Sequence, residues 1–585
     1  MTTEILQKHL IEALKRALTS LSFDFSLFKE DLKLETPPNQ EMGDFSISCF
    51  EIAKVLKKAP TVIAQELASQ LNLNKTKFSV FEKAKNIGPY LNFFINKRIW
   101  FKAICEEILS KGDKFGFSNF GKNKKILVEY SAPNTNKPQH LGHLRNNFLG
   151  QATANLLSAI GYKVIKINLI NDRGIHICKS MLAYKLWGEG KTPESEKIKG
   201  DHFVGKYYVL FNTKVKENPE LLNEAQKILE QWEKGDSEII ALWQQMNKWA
   251  LDGFYKTYEK IGINFDKWYF ESDTYQLGKK IILKALRRKI CYRREDKAIE
   301  IDLTKYNLDK KVLVRADGTS VYVTQDIGLA FLKNRDFKPY KSIYVVASEQ
   351  KYHFQVLFKI LELFGFKGVE NCHHLSYGLI FVPEGRLKSR EGTVVDADDV
   401  IAEIEQLAKS EIMSSDPNIS PIEVSRRAEI IALAALKFFL LKFTPDQEVH
   451  FQPKESISFE GATGPYIQYT YTRIHSILEK KPVEEITDKA IDYKILGNPE
   501  EAAILKLLAA FPGVTKEAAL SYNPTCLATY LLKLSQTFNE FYHKHKVLKA
   551  ESKNLVKARL TLIQATSQVL RNGLNLLGID VLNKM

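Results

Sequence analysis

The sequence predicts a multidomain α/β protein. A parallel-sheet domain with an insertion is expected between a small α+β N-terminal domain and an all-α C-terminal domain. Three observations predict it. From Lys125 to Ile170 a strand pattern, a polar turn, a helix pattern and a second strand pattern follow in order. Beyond about residue 400 the apolar positions recur at helical spacing. The 585 residues are too many for one core, so roughly three or four domains are expected.

Composition is that of an ordinary globular chain, 44% hydrophobic and 26% charged. The formal net charge of +15 favours a polyanion such as nucleic acid, or an anionic membrane. Six cysteines lie far apart, at 49, 105, 178, 291, 372 and 526, with no Cys-x-x-Cys pair. Neither a structural zinc site nor a disulfide framework is expected, and no metal-ligand set is assigned. Cys372-His373-His374 has no second ligand pair nearby, so a packed or surface role is expected for it.

Residues 1–112 form the predicted N-terminal domain. Glu4, Lys8, Glu12 and Lys15 interrupt any apolar run, so the segment is not a signal peptide. Leu6, Leu10, Leu14, Ala17 and Leu21 instead make one stripe of an amphipathic helix. No run approaches the ~18 apolar residues a membrane span needs. A cytoplasmic protein with no membrane partner is expected, and a monomer. Thr36-Pro37-Pro38-Asn39-Gln40 reads as a polar turn, and Asn86 to Ile95 as a turn and a strand.

Residues 113–400 carry the predicted parallel-sheet domain. Lys125 to Ala132 is apolar and β-prone, and Pro133 to Pro138 cannot continue a strand. Leu141, Leu144, Phe148, Ala152 and Leu156 then recur at helical spacing. Gly161 stops that helix, and Lys163 to Ile170 begins a second strand. This is one βαβ unit of Rossmann type, with polar groups at the carboxyl end of its first strand, where nucleotides sit in open α/β sheets. His140 and His143 are three apart and share the first turn of the helix. Free amides and the helix dipole at that end suit a polyphosphate.

Asn171-Asp172-Arg173-Gly174-Ile175-His176 is a second polar loop at a strand end. An insertion is expected around 188–300, helical and rich in Trp, Tyr and Lys to about 275. Lys279 to Lys297 holds nine basic residues against two acidic ones, as an RNA-facing stripe or a solvated helix face would. The parallel sheet is expected to resume near Lys311. Tyr322 and Asp326 sit four apart where a helix begins, so Asp326 could cap it. Tyr344 to Gln350 reads as another strand ending at the same cleft. A helical connector is expected over 401–450 and a helical domain over 451–585.

The stretch from Glu129 to Arg145 resembles the class I aminoacyl-tRNA synthetases, whose signature is His-Ile-Gly-His at the start of the helix after the first strand. More narrowly it is similar to the arginyl-tRNA synthetases. That pattern is a strand Glu, an Asn five residues on, then Lys-Pro-x-His-x-Gly-His-Leu-Arg. Glu129, Asn134, Lys137, Pro138, His140, Gly142, His143, Leu144 and Arg145 match it. The resemblance implies ATP-dependent attachment of L-arginine to its tRNA through an arginyl-adenylate, releasing AMP and pyrophosphate. ATP is then a substrate, accompanied by Mg²⁺, and the tRNA for arginine is the partner.

The resemblance also assigns residues. Lys137, His140 and His143 serve the phosphates, and Gly142 lets adenine approach the helix backbone. Glu129, Tyr322 and Asp326 match positions for the guanidinium, whose planar array of donors wants carboxylates in a bidentate fork. Asn134 and Gln350 match positions for the α-amino group. The second class I signature, Lys-Met-Ser-Lys-Ser, corresponds to Gly385 to Thr393. Aligned through Leu387, its second lysine becomes Ser389 and Lys388 stands one place early. Lys137 is expected to compensate, assisted by Lys388 and Arg390, with Leu387 and Lys388 on the ATP side.

The N-terminal domain of that family touches the tRNA elbow, which would put Tyr90 and Asn92 near a D-loop base. Filling of a small core by Tyr90 and Phe93 is the alternative. The family's helical C-terminal domain binds the anticodon, and Tyr466 and Tyr469 are candidates to stack on its bases. Packing between helices is the alternative for each of them. Phe541 to Leu560 carries six Lys/Arg against one Glu around His543 and His545, and a metal role for that pair is the weaker reading.

Overall fold

The computed structural model describes residues 3–20, 35, 37, 40–71, 81–382, 395–480, 491 and 493–585. The first helix, α1 (Thr3–Ser20), buries Leu6, Leu10, Leu14 and Ala17, as their spacing predicts. Leu21 lies outside the described residues. A three-stranded antiparallel sheet follows in the order β1 (Phe45–Ser48), β3 (Tyr90–Ile95), β2 (Phe81–Ile87). The helices α2 (Phe50–Leu56) and α3 (Pro60–Gln70) lie between β1 and β2 in sequence. The helix α4 (Lys97–Lys111) leads out of the domain, capped by the Asn96 side chain, which accepts from the Ile99 amide.

The central sheet is wholly parallel. It is built from β4 (Lys125–Glu129), β5 (Lys163–Ile170), β6 (Lys267–Phe270), β10 (Lys341–Ala347) and β11 (Cys372–Tyr377). Their order, β11-β10-β4-β5-β6, makes β4 central. The chain leaves β4 towards β5 on one side and returns to β10 on the other. The carboxyl ends of β4 and β10 therefore flank a topological switch point, where such sheets bind ligands. The crossover after β4 is α5 (Leu141–Ala159).

The insertion is helical: α6 (Ile175–Trp187), α7 (Pro193–Glu196), α8 (Gly200–Glu217), α9 (Leu221–Lys234) and α10 (Ser237–Ile261) follow β5. Two expectations need correction. The strand β6 lies inside the span read as insertion, yet it closes one edge of the parallel sheet. Its four residues between two long helices are too short to show a period of two. The segment at Lys311 does not rejoin the parallel sheet. The strands β7 (Tyr292–Arg293), β8 (Ile299–Ile301) and β9 (Lys311–Val314) form a separate antiparallel sheet, reached through α11 (Glu271–Arg287). An apolar run of four residues does not say which sheet it joins.

The helix α12 (Tyr322–Phe337) then leads to β10, and α13 (Lys351–Leu363) to β11. After β12 (Ile380–Phe381), which pairs with β13 (Val449–His450), the remaining described chain is helical. It comprises α14 (Ala397–Ser415), α15 (Pro421–Leu441), α16 (Pro453–Ser456), α17 (Gly464–Glu479), α18 (Pro499–Leu520), α19 (Thr525–Lys544) and α20 (Lys553–Leu576). One continuous core joins the N-terminal domain, one face of the sheet and these helices. Phe115 stacks on Phe511 within it, and Asp44 pairs with Lys506 at 3.2 Å. Among the described residues no helix is long and apolar enough to cross a membrane.

Candidate active site

The chain leaves β4 through two consecutive non-glycine residues in the left-handed region, Ser131 (φ 78°) and Ala132 (φ 48°). Each such residue costs on the order of 1–3 kcal/mol and persists only where its surroundings over-determine it. Here they do. The Ser131 amide donates to Asn146 Oδ1 at 2.6 Å, and the Ala132 amide to Asn168 Oδ1 at 3.0 Å. Ser131 Oγ shares a short hydrogen bond with the Tyr258 hydroxyl, which also accepts from Asn168 Nδ2 at 3.0 Å. Helix α5, strand β5 and the insertion helix α10 thus all hold the turn that aims the next segment.

That segment opens α5. His140 is its N-cap, in extended backbone, and its Nδ1 accepts from the Gly142 amide at 3.1 Å. Reciprocally, His143 Nδ1 accepts from the His140 amide at 3.1 Å. Each imidazole therefore uses Nδ1 as an acceptor, and its neutral form carries the proton on Nε2. The rings lie 3.9 Å apart. Burial, helped by the nearby Lys137 charge, pushes His140 down to about 4. Burial, His140 and Lys137 also push His143 well below its ordinary value, so both rings are neutral at pH 7. Burial also lowers Lys137, half-exposed at the mouth of this turn.

The free amides expected at this helix end are already used. Leu141 donates to Val395 O at 2.9 Å, Gly142 to the His140 ring and His143 to His140 O at 2.8 Å. Among the described residues, the donors this turn still offers to an anion include the two Nε2–H groups and the Lys137 ammonium. Gly142 has a local reason as well. A Cβ there would lie 2.9 Å from the His140 ring, so the glycine lets the imidazole fold over the helix end. Arg145 is 2% exposed and donates to the carbonyls of Gly378, Pro445 and Gln447 at 2.8, 3.1 and 2.7 Å. It ties α5 to the segments before β12 and β13.

Beside β4 the acidic groups sort differently from the sequence expectation. Glu129 Oε2 is 2.6 Å from Lys333 Nζ, whose side chain is 3% exposed. Glu129 is therefore already paired. Lys333 lies seven residues beyond Asp326 on α12, on the same face. Asp326 does not cap α12. Thr324 does, accepting from the Val321 amide at 3.2 Å, while Asp326 Oδ2 is 2.6 Å from His353 Nε2. Tyr322 is 70% exposed, and Asn134 and Gln350 are exposed at the same end of the sheet.

A carboxyl absent from the sequence assignment joins them. Glu271 opens α11 directly after β6 and is 6% exposed. Burial pushes it up to about 8; Arg173 opposes that shift, and Asp172 and Asp326 add to it. Glu271 and Asp326 come together because α11 and α12 touch backbone to backbone. A Cβ on Gly278 would lie 1.8 Å from Thr324 O, and one on Gly328 2.6 Å from Gly278 N. The carboxyl end of the sheet thus carries cation-seeking carboxyls at Glu271 and Asp326 and anion-seeking donors at Lys137, His140 and His143.

A family profile described as "tRNA synthetases class I (R), catalytic domain" matches residues 104–449. That is more than half of the chain. The chain belongs to the arginyl-tRNA synthetase family. Profiles for the arginyl-tRNA synthetase N-terminal domain and the DALR anticodon-binding domain match residues 4–95 and 467–585. The arginine–tRNA ligase of Treponema denticola is 44% identical over 96% of both chains. That of Amoebophilus asiaticus is 41% identical over 98% of this chain and 99% of its own. The solved arginyl-tRNA synthetase of Thermus thermophilus superimposes with a TM-score of 0.81, at 29% identity, over 99% of this chain and all of its own.

The family's second signature loop, with Leu387, Lys388, Ser389 and Arg390, lies outside the described residues. Just beyond that loop, Val395 to Ala397 runs antiparallel to Gln139 to Leu141, through a bridge between His140 and Asp396. In the N-terminal domain Tyr90 is 38% exposed, with Phe50 edge-on to it at 6.2 Å. Asn92 is only 3% exposed and turns its amide to the Tyr90 carbonyl, so it supports that strand and is not open to a base. On α17, Tyr469 is 40% exposed beneath the Arg473 guanidinium at 4.7 Å. Tyr466 is half-buried and its hydroxyl accepts from Asn539. Tyr542, which sequence reasoning left unassigned, lies on the other side of Arg473 at 5.2 Å.

The remaining sequence candidates have local partners. His374 donates to Val346 O and stacks on Phe354, and His373 packs on Tyr522. His545 pairs with Glu500. Burial pushes the Cys49, Cys291 and Cys372 thiols up to about 11. Within 279–297, α11 buries Ile282 and Ala285 while Lys279, Lys280, Lys284 and Arg287 stay on its open side.

Proposed function

We propose that this protein is an arginine–tRNA ligase, which activates L-arginine with ATP and transfers it to its tRNA. The observation that carries the proposal is that two charge preferences meet at the carboxyl end of one parallel sheet. One group, the buried Glu271 and the part-exposed Asp326, offers carboxyls to a planar cation, and the other offers neutral Nε2–H donors and an ammonium to phosphate. A mononucleotide-binding sheet alone would need only the second group.

In the first step the arginine carboxylate attacks the ATP α-phosphorus, and pyrophosphate leaves. Glu271 and Asp326 hold the guanidinium, and the Lys333–Glu129 pair forms the floor beside them. The exposed Asn134 and Gln350 face the α-amino group. Positioning supplies much of the rate, because charge on the phosphorus develops without a new protein–substrate bond. His140 and His143 donate from Nε2 to the phosphate oxygens, with Nδ1 fixed by backbone amides so that neither ring must reorient. Lys137 adds the positive charge that the altered second signature lacks at Ser389. Mg²⁺ enters with ATP as part of the substrate. The terminal ribose hydroxyl of the tRNA then attacks the adenylate, and AMP leaves. Tyr90, and the Tyr469–Arg473–Tyr542 stack with Tyr466 beneath it, are the proposed tRNA contacts.

The test is incorporation of labelled arginine into acid-precipitable tRNA. The proposal expects ATP-dependent incorporation into arginine tRNA that Asp326→Ala abolishes. Incorporation of a different amino acid, or none, would overturn it.

A further inference from the structure

Where the insertion begins, Lys199, Asp201 and His202 meet Asp396 and Asp398 at the start of α14. Lys199 Nζ is 2.6 Å from Asp398 Oδ2 and 3.1 Å from Asp201 Oδ2. His202 Nε2 is 3.0 Å from the same Asp398 oxygen and 3.6 Å from Asp396 Oδ2. Thr257 of α10 donates to the other Asp398 oxygen at 3.4 Å. Asp201 is fully buried. Asp201, His202 and Asp398 place their ligand atoms within 4.8 Å of one another, a spacing that suits a metal ion. Lys199 already sits against both carboxylates, so the protein supplies the cation itself.

The acidic half of this cluster is continuous with the segment that pairs with the first signature. Asp396 caps α14 through the Asp398 and Asp399 amides. The residues on either side of it pair with the first signature: Val395 O accepts from Leu141 N, and Ala397 N donates to Gln139 O. The basic half is held against the same segment from outside. A Cβ on Gly205, one turn along α8 from His202, would lie 2.8 Å from the Pro138 ring, so α8 lies directly on Lys137–Pro138. The His140 backbone is thus set between α8 and the 395–397 segment, and the cations at 199 and 202 close the three pieces together.

We propose that Lys199 and His202 form a cationic clamp on Asp396 and Asp398 that positions His140 for the ATP step, with His202 the titrating member. The proposal rests on the adenylate-forming role assigned above. Three carboxylates face His202, Asp201 on its own element and Asp396 and Asp398 on α14, with Lys199 the one cation beside them among the described residues. Burial alone would lower the His202 pKa, but the Asp398 hydrogen bond and the three negative charges raise it above its ordinary value. The clamp is therefore complete when His202 is protonated and loses one charge as pH rises through that raised pKa.

The experiment is arginine-dependent pyrophosphate exchange by the full chain with saturating tRNA, from about pH 6 to about pH 9. For His202→Ala the clamp predicts a fall of about 10- to 100-fold in kcat, the cost of a small misplacement at the reacting centre. The KM for arginine and the Kd for tRNA should be unchanged. Wild type should lose kcat on the alkaline side, and His202→Lys, a cation that does not titrate there, should retain activity and lack that limb. Wild-type kcat in His202→Ala at every pH would overturn the clamp. So would a parallel loss of kcat, arginine affinity and tRNA binding with a lowered Tm, which marks general destabilisation. Absence of exchange in wild type would instead defeat the ligase reading itself.

Discussion

Lys333 Nζ lies 2.6 Å from Glu129 Oε2 and 4.1 Å over the Tyr344 ring, with Lys333 and Tyr344 buried and the Glu129 side chain only 12% exposed beneath the carboxyl end of the central strand. Removing one partner of such a pair leaves a charge without water or counter-charge. Lys333→Met is expected to destabilise the fold by about 3–5 kcal/mol. Adding Glu129→Gln should recover most of that, since the orphaned charge is then gone. Denaturant midpoints of the two variants check this. A single variant as stable as wild type would show that Glu129 is not buried as a charge.

Arginine affinity should depend on pH through Glu271. In the free protein burial holds this carboxyl up to about 8, so it is protonated at neutral pH. A bound guanidinium favours the carboxylate and expels the proton. Affinity therefore rises with pH towards about 8 and levels off above it, and binding releases a proton below. Titration calorimetry in buffers of different ionisation enthalpy measures that release. Glu271→Gln should weaken arginine binding and remove the release, with the KM for ATP unchanged.

The contact of α11 with α12 at Gly278 and Gly328 sets how close Glu271 comes to Asp326. Gly278→Ala places a methyl 1.8 Å from the Thr324 carbonyl, and the helices must part. Overpacking of this kind costs about 1–3 kcal/mol. The expected signature is a raised KM for arginine with tRNA affinity unchanged, read from steady-state charging and from tRNA binding.

His140→Ala removes both the cap and an Nε2–H donor. A preorganised donor of this type is worth about 10²–10³ in rate, so pyrophosphate exchange should fall by that factor. Because the imidazole stays neutral above about pH 4, its titration should leave no limb in the rate profile near neutrality. A limb that disappears in this variant would mean that the ring is charged in the working enzyme.

The sequence shows clearly what is local. The unit from Lys125 to Ile170, its stop at Gly161 and the His140–His143 face all rest on spacing within one element, and the structure places each as expected. What the sequence hides depends on distant partners. Lys333 reads as an ordinary helix lysine until the sheet sets it beneath Glu129. Asn146, Asn168 and Tyr258 carry no sign that they pin Ser131 and Ala132, because each sits on a different element. Glu271 did leave a trace: an acid directly after the short aromatic strand Lys267–Phe270, itself missed as a strand. The free helix-end amides were a sound general expectation that the two histidines and Val395 had already used.

The proposed function requires a guanidinium site and a phosphate site at the same end of the sheet. Pyrophosphate exchange into ATP, measured with and without tRNA against all the standard amino acids, tests it most directly. Exchange is expected with arginine alone among them, lost in Asp326→Ala and in His140→Ala. Equal exchange with an uncharged amino acid, or arginine exchange that survives Asp326→Ala, would contradict it.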